Sequence, residues 1–264
     1  MAGRSALINV MVKAATKAAR GLRRDFGEVE NLQVSKKGPA DFVSVADKRA
    51  EEVLREELGY ARPDFGFLLE EAGAIPPKSG NSRWIVDPLD GTTNFLHGLP
   101  HWAISIAAEE SGAVTAGVIY DPIKDELFWA ERGRGAFVND NRMRVSVRQQ
   151  LSTALLATGI PFKGRGDSER FAKELAQIMP QVAGVRRFGS AALDLAYVAA
   201  GRYDGFWEAG LSPWDIAAGI LLVREAGGFV SEFDGRSNML ETGDVVAAND
   251  KLHRNLLKAL KLPA

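Results

Sequence analysis

The stretch that most constrains this chain is Trp84-Ile85-Val86-Asp87-Pro88-Leu89-Asp90-Gly91-Thr92-Thr93-Asn94-Phe95. Trp84, Ile85 and Val86 form an apolar, partly β-branched run that suits a strand buried on both faces. Pro88 has no N–H to continue a ladder, so the strand is expected to stop abruptly there. Asp90-Gly91 is a turn pair, and Thr92 and Thr93 are good N-caps for a helix entering at Asn94-Phe95. Such a strand, turn and helix bring Asp87 and Asp90 to face one point. Clustered carboxylates repel unless a cation sits between them, and hard oxygen ligands favour Mg2+ or Mn2+. The N–H groups at the helix start form a ready anion site. Metal ligands beside a phosphate cradle point to phosphate-ester chemistry. An Asp-Pro turn with a capped helix explains the same residues without function, and the spacing alone leaves both readings open.

Composition narrows the class. The 264 residues allow one large domain or two small ones. Lys+Arg number 33 against 34 Asp+Glu, a net charge of −1, which argues against bulk-charge binding of nucleic acid and leaves local basic patches possible. With no Cys, disulfides, thiol catalysis and Cys-based zinc or iron–sulfur sites are excluded. No apolar run approaches the roughly 18 residues of a membrane span, and the N-terminus has no signal-peptide core. A cytoplasmic location is the expectation. The basic, acid-poor start up to Arg24 is compatible with a transit peptide. Leu7, Met11, Ala14, Ala15, Ala18, Leu22 and Phe26 recur there at helical spacing, and an amphipathic helix with a solvated basic face is the reading taken.

Further along, Val34–Asp41 carries breakers and reads as a turn or hairpin. Asp47 stands where the N-cap of a helix from Lys48 to Leu58 is expected. A strand over Phe65–Leu69 runs into Glu70-Glu71. Strands follow at Ala103–Ala108, Val114–Tyr120 and Glu126–Ala130, with a hairpin turn at Gly133-Arg134-Gly135 and extended chain at Arg142–Val147. After Val147 strands and helices alternate, which predicts an α/β second half (148–264) on a meander-rich α+β first half (1–147). Ser212-Pro213-Trp214-Asp215 opens a helix with Pro at N1 and Asp at N3, a capping box that needs no function to explain it. Gly189-Ser190-Ala191 opens another. His97, His101 and His253 make no zinc pattern, although His97 and His101 are close enough to the motif to line a cleft.

Together these pieces match a known family. Glu70-Glu71, Asp87-Pro88-Leu89-Asp90-Gly91-Thr92-Thr93-Asn94-Phe95 and Trp214-Asp215-Ile216-Ala217-Ala218-Gly219 resemble the inositol monophosphatase family of Mg2+-dependent, Li+-inhibited phosphatases. The run Gly189 to Gly201 and Val223-Arg224-Glu225-Ala226-Gly227-Gly228 look especially like its bacterial extragenic-suppressor type. The resemblance spans nearly the whole chain and implies a layered αβαβα sandwich, commonly dimeric.

Carried over residue by residue, it makes Glu70 a ligand of a first metal, Asp87 a bridge between two metals, and the Leu89 carbonyl a further first-metal ligand. Asp90 and Asp215 become ligands of the second metal. Gly91 and Thr92 take phosphate, and the Thr92 hydroxyl with Glu70 orients the attacking water. Asp47 resembles the residue that holds Thr92, and Lys36 a mobile-loop lysine near the metals. Gly189, Ser190, Ala191, Glu208 and Asp90 fall where the family contacts substrate. Inositol monophosphate is the first substrate implied; fructose-1,6-bisphosphate or other sugar phosphates are the alternatives. The extragenic-suppressor type is also associated with RNA-transcription complexes, which adds RNA polymerase or antitermination factors as candidate partners. The basic N-terminal helix and Arg142, Arg144, Arg186 and Arg187 would supply that surface.

Overall fold

Alternation along the strands builds a five-layer molecule. In the computed structural model, which describes residues 3–32, 39–161 and 166–261, strand β3 (Arg83–Asp90) lies inside an eight-stranded sheet. Its partners in that sheet are β1 (Gly66–Leu69), β2 (Gly73–Ile75), β4 (Ala103–Glu110), β5 (Ala113–Asp121), β6 (Glu126–Glu131), β7 (Gly135–Val138) and β8 (Asn141–Arg142), in the order β2-β1-β3-β4-β5-β6-β7-β8. Trp84 and Val86 pack on one face, against α1 (Ala6–Leu32) and α2 (Pro39–Ala61). Ile85 packs on the other, against α5 (Ala191–Ala199) and α6 (Pro213–Glu225). Both faces of β3 are therefore dry, as its continuous apolar run requires.

The same two helices cover a second, five-stranded sheet. Its order is β10 (Gly184–Arg186), β9 (Leu155–Thr158), β11 (Gly205–Glu208), β13 (Val245–Ala248) and β12 (Phe229–Ser231). Val245 and Ala247 of β13 face α5 and α6, while Val246 and Ala248 face away. On that far side lie α4 (Ser168–Ile178) and α8 (Asp250–Ala259), through Ile178, Leu252 and Leu256. The layers run α, β, α, β, α, as the resemblance implied. Two short helices complete the element list, α3 (Thr92–Leu96) and α7 (Met239–Thr242). No helix among the described residues is long and apolar enough to cross a membrane.

The middle layer needs close backbone approach. A Cβ on Gly219 of α6 would lie 2.6 Å from the Leu195 side chain of α5, so only glycine lets the two helices meet there. Ile216 to Val223 are then buried on every side, with no polar face left on α6.

Four local expectations need correction. Strand β3 does not stop at Pro88. Asp87 pairs with Ser105 and Asp90 with Ala103, so β3 carries one residue more than β4 over this interval, a bulge in which a residue without an N–H is tolerated. Asp47 is not a cap, because α2 starts at Pro39 and Asp47 lies inside it; the apolar residues that precede Asp47 belong to the helix as well. The turn expected over 34–41 falls largely outside the described residues, and its last three positions are already helical. Only Asn141–Arg142 of the segment through Val147 pairs as strand. Beyond it the chain crosses toward the second sheet, held by the Val145 N–H donating to the Ala226 carbonyl at 3.2 Å.

Candidate active site

The bulge and turn at the end of β3 aim the carboxylates. Asp87 Oδ1 accepts the backbone N–H of Leu89 at 2.8 Å, closing an Asx turn around Pro88. Gly91 follows with φ 100°, and a Cβ there would come within 3.0 Å of the His101 carbonyl. Gly91, rather than a threonine, occupies the N-cap of α3, because its left-handed backbone makes the corner. Thr92 then stands in the first turn, and its hydroxyl donates to the Leu89 carbonyl at 3.1 Å. Asp47, expected at Thr92, is instead grouped with Glu70, Glu71 and Glu51, and its Oδ1 has no hydrogen-bond partner among the described residues.

The second half of the site arrives from about a hundred residues later in the chain. Asp215, at N3 of α6, accepts the Ser212 N–H at 2.7 Å, so the capping box is formed. Ser105, the partner of Asp87 across β3 and β4, donates to the Trp214 carbonyl at 3.2 Å and seats the start of α6 beside Asp87. Asp87, Asp90 and Asp215 thereby bring ligand oxygens within 4.8 Å of one another. Glu70 lines the same cavity, of about 160 Å³, and raises the pKa of Asp87. Glu51 of α2 fixes the Glu70-Glu71 corner by accepting the N–H groups of Glu71 at 2.9 Å and Ala72 at 3.0 Å.

Start of α5 locks onto the same turn. Ser190 donates its hydroxyl to Asp90 Oδ2 at 2.5 Å, and the Ala192 N–H donates to that oxygen at 2.8 Å. Asn94 bridges from α3, its amide donating to the carbonyls of His101 and Phe188, both at 2.7 Å. Gly189, Ser190, Ala191 and Glu208 all border the cavity. Glu208 also borders a neighbouring cavity of about 220 Å³.

The electrostatics are those of a site built for cations. Burial, then the charges of Glu70, Asp90 and Asp215, push the Asp87 carboxyl well above its ordinary value. Asp90 is pushed to about 7, by burial and then by Asp215, against the pull of Ser190 and Ala192. Asp47 reaches about 8 through burial and then the charges of Glu70, Glu71 and Glu51. Buried oxygen ligands that disfavour one another's charge fit hard divalent cations well.

Of the expected site residues, Glu70, Asp87, Leu89, Asp90, Gly91, Thr92, Gly189, Ser190, Ala191, Glu208 and Asp215 border one cavity. Lys36 lies outside the described residues. Neither His97 nor His101 borders the cavity. His101 is instead turned against Phe188, with ring centroids 5.2 Å apart, and burial lowers its pKa to about 4. Sequence reasoning passed over Glu51, Asn94 and Ser105, whose hydrogen-bond partners are remote in sequence, and Asp194, which borders the cavity. It assigned Arg187 to an outer surface, whereas Arg187 also borders the cavity.

Comparison with known proteins agrees with this geometry. The sequence model of the inositol monophosphatase family matches residues 4–262. An inositol-1-monophosphatase of Mesorhizobium japonicum is 62% identical over 260 residues, 98% of each chain. A protein of Escherichia coli K12 named Nus factor SuhB is 44% identical over 255 residues, 97% of this chain and 96% of that one. The crystal structure of the extragenic suppressor protein suhB from Bartonella henselae superposes with a TM-score of 0.92 at 56% identity, covering 98% of this chain and all of that one. A match of this extent, on a chain whose bulged β3 turn and α6 start converge as they do, means that the protein belongs to the inositol monophosphatase family.

Proposed function

We propose that this chain is a Mg2+-dependent phosphomonoesterase that hydrolyses inositol monophosphate to inositol and phosphate. The observation that carries the reading is the convergence of Asp87, Asp90 and Asp215, from two distant parts of the chain, within 4.8 Å in a cavity of about 160 Å³. Glu70, Asp87, Asp90, Asp215 and the Leu89 carbonyl would hold the metals; Mn2+ has the same oxygen preference and would substitute, and Li+ would inhibit. Bound divalent cations lower the pKa of water and offset charge on the phosphoryl group and the leaving alkoxide.

The chain's own groups do the rest. Glu70 and the Thr92 hydroxyl orient the attacking water for in-line approach. Backbone N–H groups of Gly91 and Thr92, at the corner into α3, meet phosphoryl oxygens. Ser190 and the Ala192 N–H hold Asp90 through Oδ2, so that its other oxygen would be available to a metal. Glu208 accepts hydrogen bonds from ring hydroxyls. No covalent phosphoenzyme is required. Asp47 lies behind Glu70 rather than bonding Thr92, whose hydroxyl donates to the Leu89 carbonyl. A panel of phosphate esters assayed in Mg2+, with and without Li+, tests the reading. Inositol 1-phosphate is expected to lead and Li+ to suppress it; no turnover of any sugar or polyol phosphate would sink it. Preference for fructose-1,6-bisphosphate in the same panel would favour the sugar-phosphatase alternative.

A second role is favoured by the relative named Nus factor SuhB, which is binding to a transcription complex. The basic face of α1 is a weak candidate for the surface, because Lys13 and Lys17 both pair with Glu57 of α2, at 3.0 and 2.6 Å. Arg142, Arg144 and Arg186 are exposed and better placed. Asp90→Asn separates the roles: phosphatase activity is lost, and a cellular phenotype that survives the substitution belongs to binding.

A further inference from the structure

Asp194 is a buried acid that the hydrolytic steps above do not use. It is the fourth residue of α5, only 1% exposed, and it borders the same cavity as Asp90 and Glu208. Its Oδ1 is buried and has no hydrogen-bond partner among the described residues. A carboxyl oxygen held away from water without a donor costs free energy that a ligand donor can recover.

Local structure does not account for it. The cap of α5 is already supplied by Ser190, whose side chain accepts the Leu193 N–H. Asp194 is not among the three acids whose oxygens converge within 4.8 Å. Its charged neighbours come from three directions: Glu208 on β11, Asp90 on β3, and Arg187 ahead of α5. Glu208 and Asp194 thus form a second acidic pair, on β11 and α5, apart from the convergent aspartates. Gly159 makes room for the Glu208 carboxylate itself, since a Cβ there would fall 1.8 Å from Glu208 Oε1.

We propose that Asp194 is a specificity-determining residue that, with Glu208, engages hydroxyl groups of a polyol monophosphate whose phosphoryl group lies at Asp87, Asp90 and Asp215. This rests on the phosphomonoesterase reading and extends it, from Glu208 alone to a pair able to read two hydroxyls of one substrate. A hydroxyl suits the position because it can donate its proton to the buried Oδ1, which has no donor among the described residues.

The test compares a hydroxyl-rich and a hydroxyl-free ester in the full-length protein with Mg2+: myo-inositol 1-phosphate and phenyl phosphate. Asp194→Ala is expected to lower the ratio of kcat/KM for the inositol ester over the phenyl ester by roughly tenfold or more, the size of one lost hydrogen bond to a buried group. A ratio equal to wild type, whether both activities fall together or neither falls, overturns the proposal. If thermal melts show that Asp194→Ala is unfolded, the near-isosteric Asp194→Asn carries the comparison. It exchanges an acceptor for a donor, so a ratio shifted by about threefold or more supports the proposal and an unchanged ratio overturns it. Wild-type protein that hydrolyses phenyl phosphate but no polyol phosphate overturns this proposal together with the inositol-phosphate reading, whereas an unchanged ratio in a protein active on inositol 1-phosphate overturns this one alone.

Discussion

Asp47 and Asp90 carry the strain of the site in a form that can be titrated. Their carboxyls are raised to about 8 and about 7, from ordinary values of about 4. Between those limits the folded protein holds protons that the unfolded chain has released, so stability falls as pH rises. Metal-free protein is therefore expected to lose melting temperature from mildly acidic to mildly alkaline pH through this pair. Asp47→Asn and Asp90→Asn should each flatten that slope. Melts in chelator across this range check it, and a slope unchanged in both variants would remove the pair as its cause. At this scale the chain also shows why Asp215 looks ordinary in sequence. A capping residue and a metal ligand need the same thing, a carboxylate fixed at a helix start, so one local pattern serves both.

At the level of elements, function depends on three short joints. Ser105 ties β4 to the start of α6, Ser190 ties α5 to Asp90, and Asn94 ties α3 to the segment entering α5. Asn94 is 4% exposed and its amide serves carbonyls on two separate segments. Asn94→Ala leaves the His101 and Phe188 carbonyls without that donor, a cost of about 1–3 kcal/mol. The expected result is a lower melting temperature and a drop in kcat larger than the change in KM, because the turn bearing Asp90 and the start of α5 lose their shared anchor. Melting and steady-state kinetics on the purified variant measure both. An unchanged kcat would show that the Ser190 contact suffices. None of these joints has a signature in sequence, since Asn94 and Phe188 are 94 residues apart and Ser105 and Trp214 are 109 apart.

Across the whole molecule, the candidate site lies where the two sheets and their shared helical layer meet, so acids from both halves of the chain gather only on folding. Gathering them costs free energy that bound cations would return. On the proposed function, Mg2+ binding to the folded state is expected to raise the melting temperature in proportion to the logarithm of its concentration above Kd, by linkage. Thermal melts over a Mg2+ titration check this, and an identical melt at saturating Mg2+ would count against the cluster as a cation site.

Much of the layered architecture was legible because its cause is periodic. Continuous apolar runs in β3 and β13 report strands dry on both faces, the apolar residues of α1 and α6 report the helix faces that are buried, and the breakers at Gly201 and Gly227-Gly228 mark where helices end. Recognition of the metal-ligand motifs likewise needs only sequence, through resemblance. Where propensity failed, tertiary burial had won: Asp47 is drawn into α2, and Pro88 is kept within β3 by a bulge. By itself, then, the amino-acid sequence determined the family, most of the order of strands and helices, and which acids to expect at the site. Only the tertiary structure decided that Asp87, Asp90 and Asp215 converge, that Thr92 bonds Leu89 rather than Asp47, and that Asp194 borders the same cavity. The physical reason is one of distance: periodicity and turn chemistry act over a few residues, whereas these contacts join segments that only packing of the two sheets around α5 and α6 brings together.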